Sequence, residues 1–219
     1  MSNLKRLVKN ALEQQGVIAI IRGVGEDNLA PLLRALKNAN LQVAELTFGW
    51  VDDLSTANLI KKAVEIAGDN IFIGAGTVTG IERAKIAVNA GAKFIVTPNF
   101  NSEVIEFCNK NGVLTVCGAF TPNEVITAYQ TGADYIKIFP ANVFGAEYIK
   151  ALKCTFPQIP MLAFAGVTTE NFAKYLDAGV VGVGVGSELI NLKAISQGDF
   201  AYVEKVAKEL LQIANSKKI

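Results

Sequence analysis

Short apolar runs recur along the chain, each separated from the next by a stretch with helical periodicity. The runs are continuous rather than alternating and contain many β-branched residues, which is typical of parallel strands buried on both faces. Eight such runs predict eight strands: VIAIIR at 17–22, QVAELTF at 42–48, IFIGAGT at 71–77, KFIVTP at 93–98, VLTVCG at 113–118, DYIKIFP at 134–140, PMLAFAG at 160–166 and VVGVGVGS at 180–187. A parallel sheet with right-handed helical crossovers follows from this order.

Glycines mark the approach to several of these strands: Gly91, Gly112, Gly132 and Gly179 are placed as left-handed caps at helix C-termini. Eight strand–helix units predict an α/β protein with a single (β/α)8 barrel domain over 1–219, which is short for that fold. The opening segment MSNLKRLVKNALEQQG predicts an extra amphipathic N-terminal helix. A doubly wound open sheet is the alternative, but IIRGVGED lacks the spacing of a GxGxxG motif.

The composition favours a small-molecule partner. Lys and Arg total 21 and Asp and Glu total 20, so the net charge of +1 gives no basis for binding nucleic acid or an anionic membrane. A hydrophobic content of 51% suits a large buried core. The chain has neither a long apolar span nor the pattern of a secretory signal, and we therefore expect a cytoplasmic protein.

The absence of histidine restricts the chemistry, because it removes the commonest general base and the commonest metal ligand. Three cysteines, Cys108, Cys117 and Cys154, have no CxxC spacing. We interpret them as buried or incidental thiols rather than as disulfides or zinc ligands. Acid–base chemistry must therefore come from carboxylate, lysine, tyrosine or cysteine side chains.

Lys137 interrupts the apolar run DYIKIFP, between Ile136 and Ile138. Strand alternation places it on one face with Tyr135 and Phe139, and directs the two isoleucines toward the helices. Burial lowers the pKa of a lysine by desolvation, which makes the amine nucleophilic. The alternative is a lysine that extends to solvent at the strand end or forms a structural ion pair.

Two further charges lie on the first two predicted strands. Glu45 lies on the same alternating face as Val43 and Thr47, where a carboxylate could transfer protons. A buried ion pair with Lys137 or Arg22 is the alternative for this glutamate. Arg22 ends the first strand and could hold a carboxylate or phosphate through two hydrogen bonds, with a surface salt bridge as its alternative.

Glycine-containing segments follow the last two predicted strands. The segment GVGVGS includes Gly186 and ends at Ser187, where a helix is predicted to begin, so backbone N–H groups and the Ser187 hydroxyl could contact an anion. In AGVTTEN, Gly166 is followed by Thr168 or Thr169 as a predicted cap for the next helix. The two segments together predict a phosphate site, and glycine in a tight turn is the alternative for each.

Seven segments, taken together, resemble one enzyme family: IAIIRG, VAELTF, IGAGTV, FIVTPNF, TPNEV, IKIFP and GVGSEL, in that order. The chain resembles the 2-keto-3-deoxy-6-phosphogluconate and 4-hydroxy-2-oxoglutarate aldolases from about residue 15 to 190. This resemblance implies an aldolase that forms a Schiff base, needs no metal or cofactor and assembles as a homotrimer.

The resemblance also implies roles for individual residues. Lys137 matches the Schiff-base lysine, Glu45 the general acid/base, and Arg22 a basic residue near the charged groups of the substrate. The remaining matches are to substrate-binding positions: Thr77 and Pro98 in the pyruvyl pocket, Phe139 beside the lysine, and Gly166, Gly186 and Ser187 at the phosphate.

The chain departs from the family pattern at Gly49, at Cys117 and in the usual P-T-G-G loop, which reads Ala163, Phe164, Ala165 and Gly166. Gly49 stands where the gluconate enzymes have an arginine, which the galactonate enzymes also lack, so Arg22 with Thr77 must hold the carboxylate. Phe164 and Ala165 replace the threonine and the first glycine of the usual P-T-G-G loop, and Cys117 replaces a proline. The segments VTPNFNSEVI and IFPANVFGAEYIKALK are closer to the phosphogalactonate branch.

We therefore expect retro-aldol cleavage of a 2-keto-3-deoxy-6-phospho-aldonate, gluconate or galactonate, to pyruvate and glyceraldehyde 3-phosphate. Three alternatives remain open on the sequence. They are the same chemistry on 4-hydroxy-2-oxoglutarate, a phosphate-binding barrel of another class such as a sugar-phosphate epimerase, and a binding protein without catalytic activity.

Overall fold

The computed structural model describes residues 2–217, and in this part of the chain eight parallel strands form a closed barrel. The strands are β1 (Val17–Ile21), β2 (Val43–Thr47), β3 (Phe72–Gly76), β4 (Phe94–Val96), β5 (Leu114–Ala119), β6 (Tyr135–Ile138), β7 (Met161–Phe164) and β8 (Gly182–Val185). Each strand pairs with the next along the chain, and Val17 pairs with Val183 to close the barrel. The predicted (β/α)8 barrel is confirmed, and every apolar run forms the expected strand.

Helices connect the strands on the outside of the barrel, and α1 confirms the extra N-terminal helix. The helices of residues 2–217 are α1 (Asn3–Gln15), α2 (Glu26–Asn38), α3 (Asp53–Ala67), α4 (Ile81–Asn89), α5 (Ser102–Asn111), α6 (Pro122–Gln130), α7 (Gly145–Thr155), α8 (Phe172–Asp177), α9 (Leu192–Ser196) and α10 (Phe200–Ser216). None of them is both long enough and apolar enough to cross a membrane.

Local sequence signals fix where the helices begin and end. Helix α6 begins with a capping box, in which Thr121 Oγ1 accepts from the N–H of Glu124 at 3.3 Å and the Glu124 carboxylate accepts from the N–H of Thr121 at 2.7 Å. The glycines predicted to be left-handed all have positive φ: 97° at Gly91, 66° at Gly112, 98° at Gly132 and 92° at Gly179.

Helix α1 covers the N-terminal end of the barrel. Val8 and Leu12 are fully buried against residues that point into the barrel, among them Tyr135. The Tyr135 hydroxyl donates to Glu13 Oε1 at 2.9 Å. The buried Lys5 on this helix pairs with Asp134 at 2.9 Å, a charged contact inside this end of the barrel. Sites in this fold form at the opposite end, where the strands terminate, so the charged residues there are the candidates.

Candidate active site

Lys137 lies on β6 and points into the barrel. Its side chain is buried, and the backbone pairs with Gly118 on one side and Leu162 on the other. The predicted alternation is confirmed, since Tyr135 packs inside the barrel and Ile136 packs in the outer core between strands and helices. Burial lowers the pKa of Lys137, the negative charge of Glu45 opposes that effect, and the positive charge of Arg22 adds to it.

Two aromatic rings flank the Lys137 amine. Nζ lies 4.6 Å from the ring centroid of Phe139 and 4.6 Å from that of Phe164. Phe164 is only 1% exposed, and its ring lies over Gly184, where an added Cβ would be 2.3 Å from the ring. The aromatic ring that replaces the family threonine therefore fills the interior of the barrel next to the amine.

Glu45 lies on β2 and is only 2% exposed. Desolvation raises the pKa of its carboxyl group to about 7, although the positive charges of Lys137 and Arg22 act in the opposite direction. Its Oε2 is buried and has no hydrogen-bond partner among the residues that the structure describes. The alternative of a direct ion pair is not found, because no pair of N and O atoms within 4.0 Å joins Glu45 to Lys137 or Arg22 in residues 2–217.

Arg22 follows β1 and is held by two hydroxyl groups. Its Nε donates to Thr47 Oγ1 at 3.3 Å, and its Nη2 donates to Thr77 Oγ1 at 3.3 Å. Thr77 has a φ of 57°, a conformation that costs energy for a β-branched residue. Arg83 Nη1 donates to the Thr77 carbonyl oxygen at 3.4 Å. The strained threonine thus turns its hydroxyl toward Arg22, and a second arginine contacts its backbone.

Pro98 follows β4 and lies beside the strand that neighbours Lys137. A Cβ added to Gly118 would be only 2.2 Å from the Pro98 carbonyl carbon, so the glycine permits a close approach of the two backbones. Thr97 Oγ1 accepts from the N–H of Gly118 at 3.0 Å and holds the segment there. Since Gly118 pairs with Lys137, the structure brings Pro98 to the lysine end of the barrel.

The loop after β7, residues 165–171, carries Gly166. Ala165 and Gly166 have φ values of 83° and 68°, so the chain keeps the left-handed turn even where alanine replaces glycine. Asn171 Nδ2 donates to the Gly166 carbonyl oxygen at 2.8 Å, and Asn142 packs against the Gly166 α-carbon. Gly166 is exposed at the end of the barrel where the parallel strands terminate.

Two predictions about these loops were wrong. The expected helix does not begin at Ser187, because residues 187–189 form a turn and α9 begins only at Leu192, where Asn191 caps it. Neither Thr168 nor Thr169 caps the next helix.

Helix α8 begins at Phe172, and Asn171 occupies the cap position before it. The Asn171 side chain does not bond to the helix, because its Oδ1 accepts from the N–H of Thr168 at 2.9 Å. The amide and the hydroxyl of Thr169 are both bonded to Glu188.

The loop after β8, residues 186–191, carries the other two predicted phosphate residues. Gly186 and Ser187 directly follow the strand, at the same end of the barrel as Gly166. The N–H of Ile190 donates to the Gly186 carbonyl oxygen at 2.8 Å and closes the turn, while Ser187 remains exposed. The structure therefore brings the three residues predicted to contact phosphate to neighbouring strand ends, and places Lys137 and Glu45 in the barrel interior.

Three residues of the site were not assigned a role from the sequence. Thr47 contacts Arg22. The sequence feature that could have indicated a role for Thr47 is its position two residues after Glu45, on the same face of the strand. Gly76 lies against the Glu45 carboxylate. It belongs to the segment IGAGTV, which contributes to the family resemblance as a whole but gives this glycine no individual role. Glu188 bonds to Thr169, and no local pattern indicates a contact across 19 positions of sequence.

A buried lysine with a lowered pKa, together with a buried carboxylate in the interior of a closed (β/α)8 barrel, is an arrangement that suits a nucleophilic amine. The chain belongs to the KDPG and KHG aldolase family, whose model matches residues 8–206. It is therefore an aldolase, a lyase that breaks a carbon–carbon bond.

Named relatives and a solved structure agree with this assignment. The 2-dehydro-3-deoxy-6-phosphogalactonate aldolase of Escherichia coli (strain K12) is 40% identical over 175 residues, which cover 79% of this chain and 83% of the relative. The 2-dehydro-3-deoxy-phosphogluconate aldolase of Treponema pallidum (strain Nichols) is 31% identical over 204 residues, with coverage of 93% and 95%. A structure described as native KDPGal has a TM-score of 0.83 at 33% identity, with coverage of 92% and 95%.

Proposed function

We propose that the protein cleaves a 2-keto-3-deoxy-6-phospho-aldonate to pyruvate and glyceraldehyde 3-phosphate through a Schiff base on Lys137. The observation that carries this proposal is the burial of Lys137 together with its electrostatic coupling to the buried carboxylate of Glu45. Desolvation favours the neutral amine, and the neutral amine is the form that attacks a ketone.

The proposed reaction begins when the Lys137 amine attacks the C2 ketone to give a carbinolamine, which loses water and becomes an iminium ion. Glu45 then accepts the proton of the C4 hydroxyl through a water molecule at Oε2. The C3–C4 bond breaks, its electron pair moves to the iminium to form an enamine, and the aldehyde leaves. Protonation at C3 and addition of water release pyruvate and regenerate the amine.

Arg22 is the proposed anchor for the substrate carboxylate. Its guanidinium is fixed by Thr47 and Thr77, which leaves the remaining N–H groups free to bind an anion as a planar fork. Gly49 supports this assignment, since the arginine of the gluconate enzymes is missing at that position and glycine offers no side chain in its place. The backbone amides of Gly166, Gly186 and Ser187, in the loops that follow β7 and β8, are the proposed phosphate ligands.

Between the two aldonates, we propose the galactonate isomer as the preferred substrate. Gly49 matches the galactonate enzymes, and the galactonate relative described above is 40% identical whereas the gluconate relative is 31% identical. A coupled pyruvate assay with the gluconate, galactonate and 4-hydroxy-2-oxoglutarate substrates side by side tests this preference. A higher kcat/KM for either of the other two would overturn it.

Borohydride trapping tests the mechanism. Incubation with pyruvate and borohydride should leave a reduced pyruvate adduct on the peptide that contains Lys137, detected by mass spectrometry. The adduct should vanish in Lys137→Ala and persist in Lys150→Ala, a change on the exposed face of α7. An adduct that persists in Lys137→Ala, or none in the unaltered protein, contradicts the mechanism.

We also propose that the protein assembles as a homotrimer. An aromatic cluster at the surface supports association: the ring centroids of Phe120, Phe144 and Tyr148 lie 5.4–5.5 Å apart, and Phe144 is 60% exposed while the other two are half-buried. Light scattering coupled to gel filtration measures the mass in solution. A monomeric mass would refute the proposal, and Phe144→Ser should weaken the assembly if the cluster lies in the interface.

A further inference from the structure

The loops after β7 and β8 are joined by one carboxylate. The N–H of Thr169 donates to Oε1 and Oε2 of Glu188 at 3.2 and 3.0 Å, and the Thr169 hydroxyl donates to Oε1 at 2.8 Å. Hydrogen bonds to an ionised acceptor are stronger than those between neutral groups. This contact is a link between the two loops in which both oxygens of one carboxylate accept hydrogen bonds.

Each end of the contact leads directly to a proposed phosphate ligand. On the β7 loop, Asn171 accepts from the N–H of Thr168 at 2.9 Å and donates to the Gly166 carbonyl oxygen at 2.8 Å. On the β8 loop, Glu188 is the residue after Ser187. The contact between Thr169 and Glu188 thus connects the loop that carries Gly166 to the loop that carries Ser187.

We propose that Glu188 is a positioning residue that sets the spacing of the phosphate subsite for the aldehyde half of the substrate. The inference rests on the proposed function, since it concerns the phosphate ligands of that site. Glu188 acts through Thr169 and does not touch the substrate. Because Glu188 occupies the N–H and the hydroxyl of Thr169, these two donors are not available to the phosphate.

The charge of Glu188 is the reason that it must work as a positioner and not as a ligand. A carboxylate repels a phosphate unless donors separate them, and here the donors of Thr169 all point at the carboxylate. A neutral residue with the same shape should keep the loops in place. Glutamine meets that requirement, because its carbonyl oxygen accepts one hydrogen bond from Thr169 and its amide donates to the hydroxyl oxygen.

The test uses the aldol reaction in the synthesis direction, with pyruvate and either glyceraldehyde 3-phosphate or unphosphorylated glyceraldehyde. The readout is the ratio of kcat/KM for the two aldehydes in the full-length protein. Glu188→Ala should lower this ratio about tenfold or more, chiefly through a higher KM for the phosphorylated aldehyde. Glu188→Gln should restore the ratio to within about threefold of the unaltered protein.

Two further variants separate positioning from general damage to the fold. Thr169→Val removes the hydroxyl partner, and adding it to Glu188→Ala should cause no further fall, since both changes break the same contact. Glu170→Ala is the matched control, an exposed glutamate next to Thr169 on the same loop, and should leave the ratio unchanged. Circular dichroism and thermal unfolding confirm that each variant is folded.

The outcomes are distinguishable. If the unaltered protein prefers the phosphorylated aldehyde and Glu188→Ala lowers both kcat/KM values equally, Glu188 has no specific role and the inference is wrong. Additive effects of the Thr169 and Glu188 changes also contradict it. If the unaltered protein shows no preference for phosphate, the phosphate site of the proposed function fails together with this inference, while borohydride trapping still reports on Lys137.

Discussion

The Glu45 carboxylate lies against the α-carbon of Gly76, so closely that a Cβ added to this glycine would be 2.4 Å from Oε1. Gly76 pairs with Thr47 on the neighbouring strand, two residues along from Glu45. A contact shorter than 3 Å requires one group to move, and in a packed barrel the movable group is the carboxylate. Glu45, the proposed general base, can therefore occupy its position only because residue 76 is a glycine.

Gly76→Ala should therefore impair catalysis more than folding. The methyl group would displace Glu45 from the amine end of the barrel, and we expect kcat to fall at least about tenfold, since small displacements of catalytic groups have large effects. Steady-state kinetics measures the effect. Gly80→Ala is the matched control, because a Cβ there meets nothing within 4 Å and should leave kcat unchanged. Equal rates in the two variants would show that the contact is unimportant.

The pH profile of kcat/KM should report the raised pKa of Glu45. Because desolvation raises this pKa to about 7, the carboxyl group is protonated below that pH and cannot accept a proton, so kcat/KM should decrease as the pH falls through 7. Rates measured between pH 5 and 9 test this.

Glu45→Gln should remove the decrease in kcat/KM centred near pH 7 and lower the rate by about 10² to 10⁴. Glu106→Gln, an exposed change on α5, should reproduce the original profile. An acidic limb that survives in Glu45→Gln would assign the titration to another group.

The barrel and its central charges could be predicted from the sequence because their signals are local. A parallel strand buried on both faces is a continuous apolar run, and a charge inside such a run stands out. Lys137 and Glu45 were found in this way, and strand alternation alone placed Tyr135 inside the barrel. These features need only the residues of one strand.

The loop geometry could not be predicted, because its hydrogen bonds join residues that are distant in sequence. Threonine before a helix usually acts as a cap, but Thr169 is bonded to Glu188 and the cap position passes to Asn171. The hydrogen-bond partners of Arg22 could not be predicted for the same reason. Its contacts with Thr47 and Thr77 join three strand ends that meet only in the closed barrel.

The two rings beside Lys137 should differ in their effect on its pKa. Nζ is equally far from Phe139 and Phe164, but Phe164 is 1% exposed and Phe139 is 36% exposed. A cation–π contact is worth about 2 kcal/mol when desolvated and about 0.5–1 kcal/mol when exposed.

Phe164→Leu should therefore lower the pKa of Lys137 more than Phe139→Leu does. The pH dependence of Lys137 acylation, followed by mass spectrometry, measures both values. Equal decreases in the two variants, or an increase in either, would show that the rings do not stabilise the cation in this way.

Ala165 should carry a conformational cost that glycine would relieve. Its φ is 83°, in the left-handed region, where an L-residue with a side chain is disfavoured by about 1 kcal/mol relative to glycine. Ala165→Gly should raise the free energy of unfolding by that amount, or the Tm by about 2–4 °C for a chain of this size. Ala163 lies two positions earlier, on β7, and is fully buried. Ala163→Gly should lower the free energy of unfolding, because it removes a packed methyl group from ordinary strand backbone. Thermal and urea unfolding measure the change in stability of the two variants. A less stable Ala165→Gly variant would mean that the packing of the alanine methyl group outweighs its backbone strain.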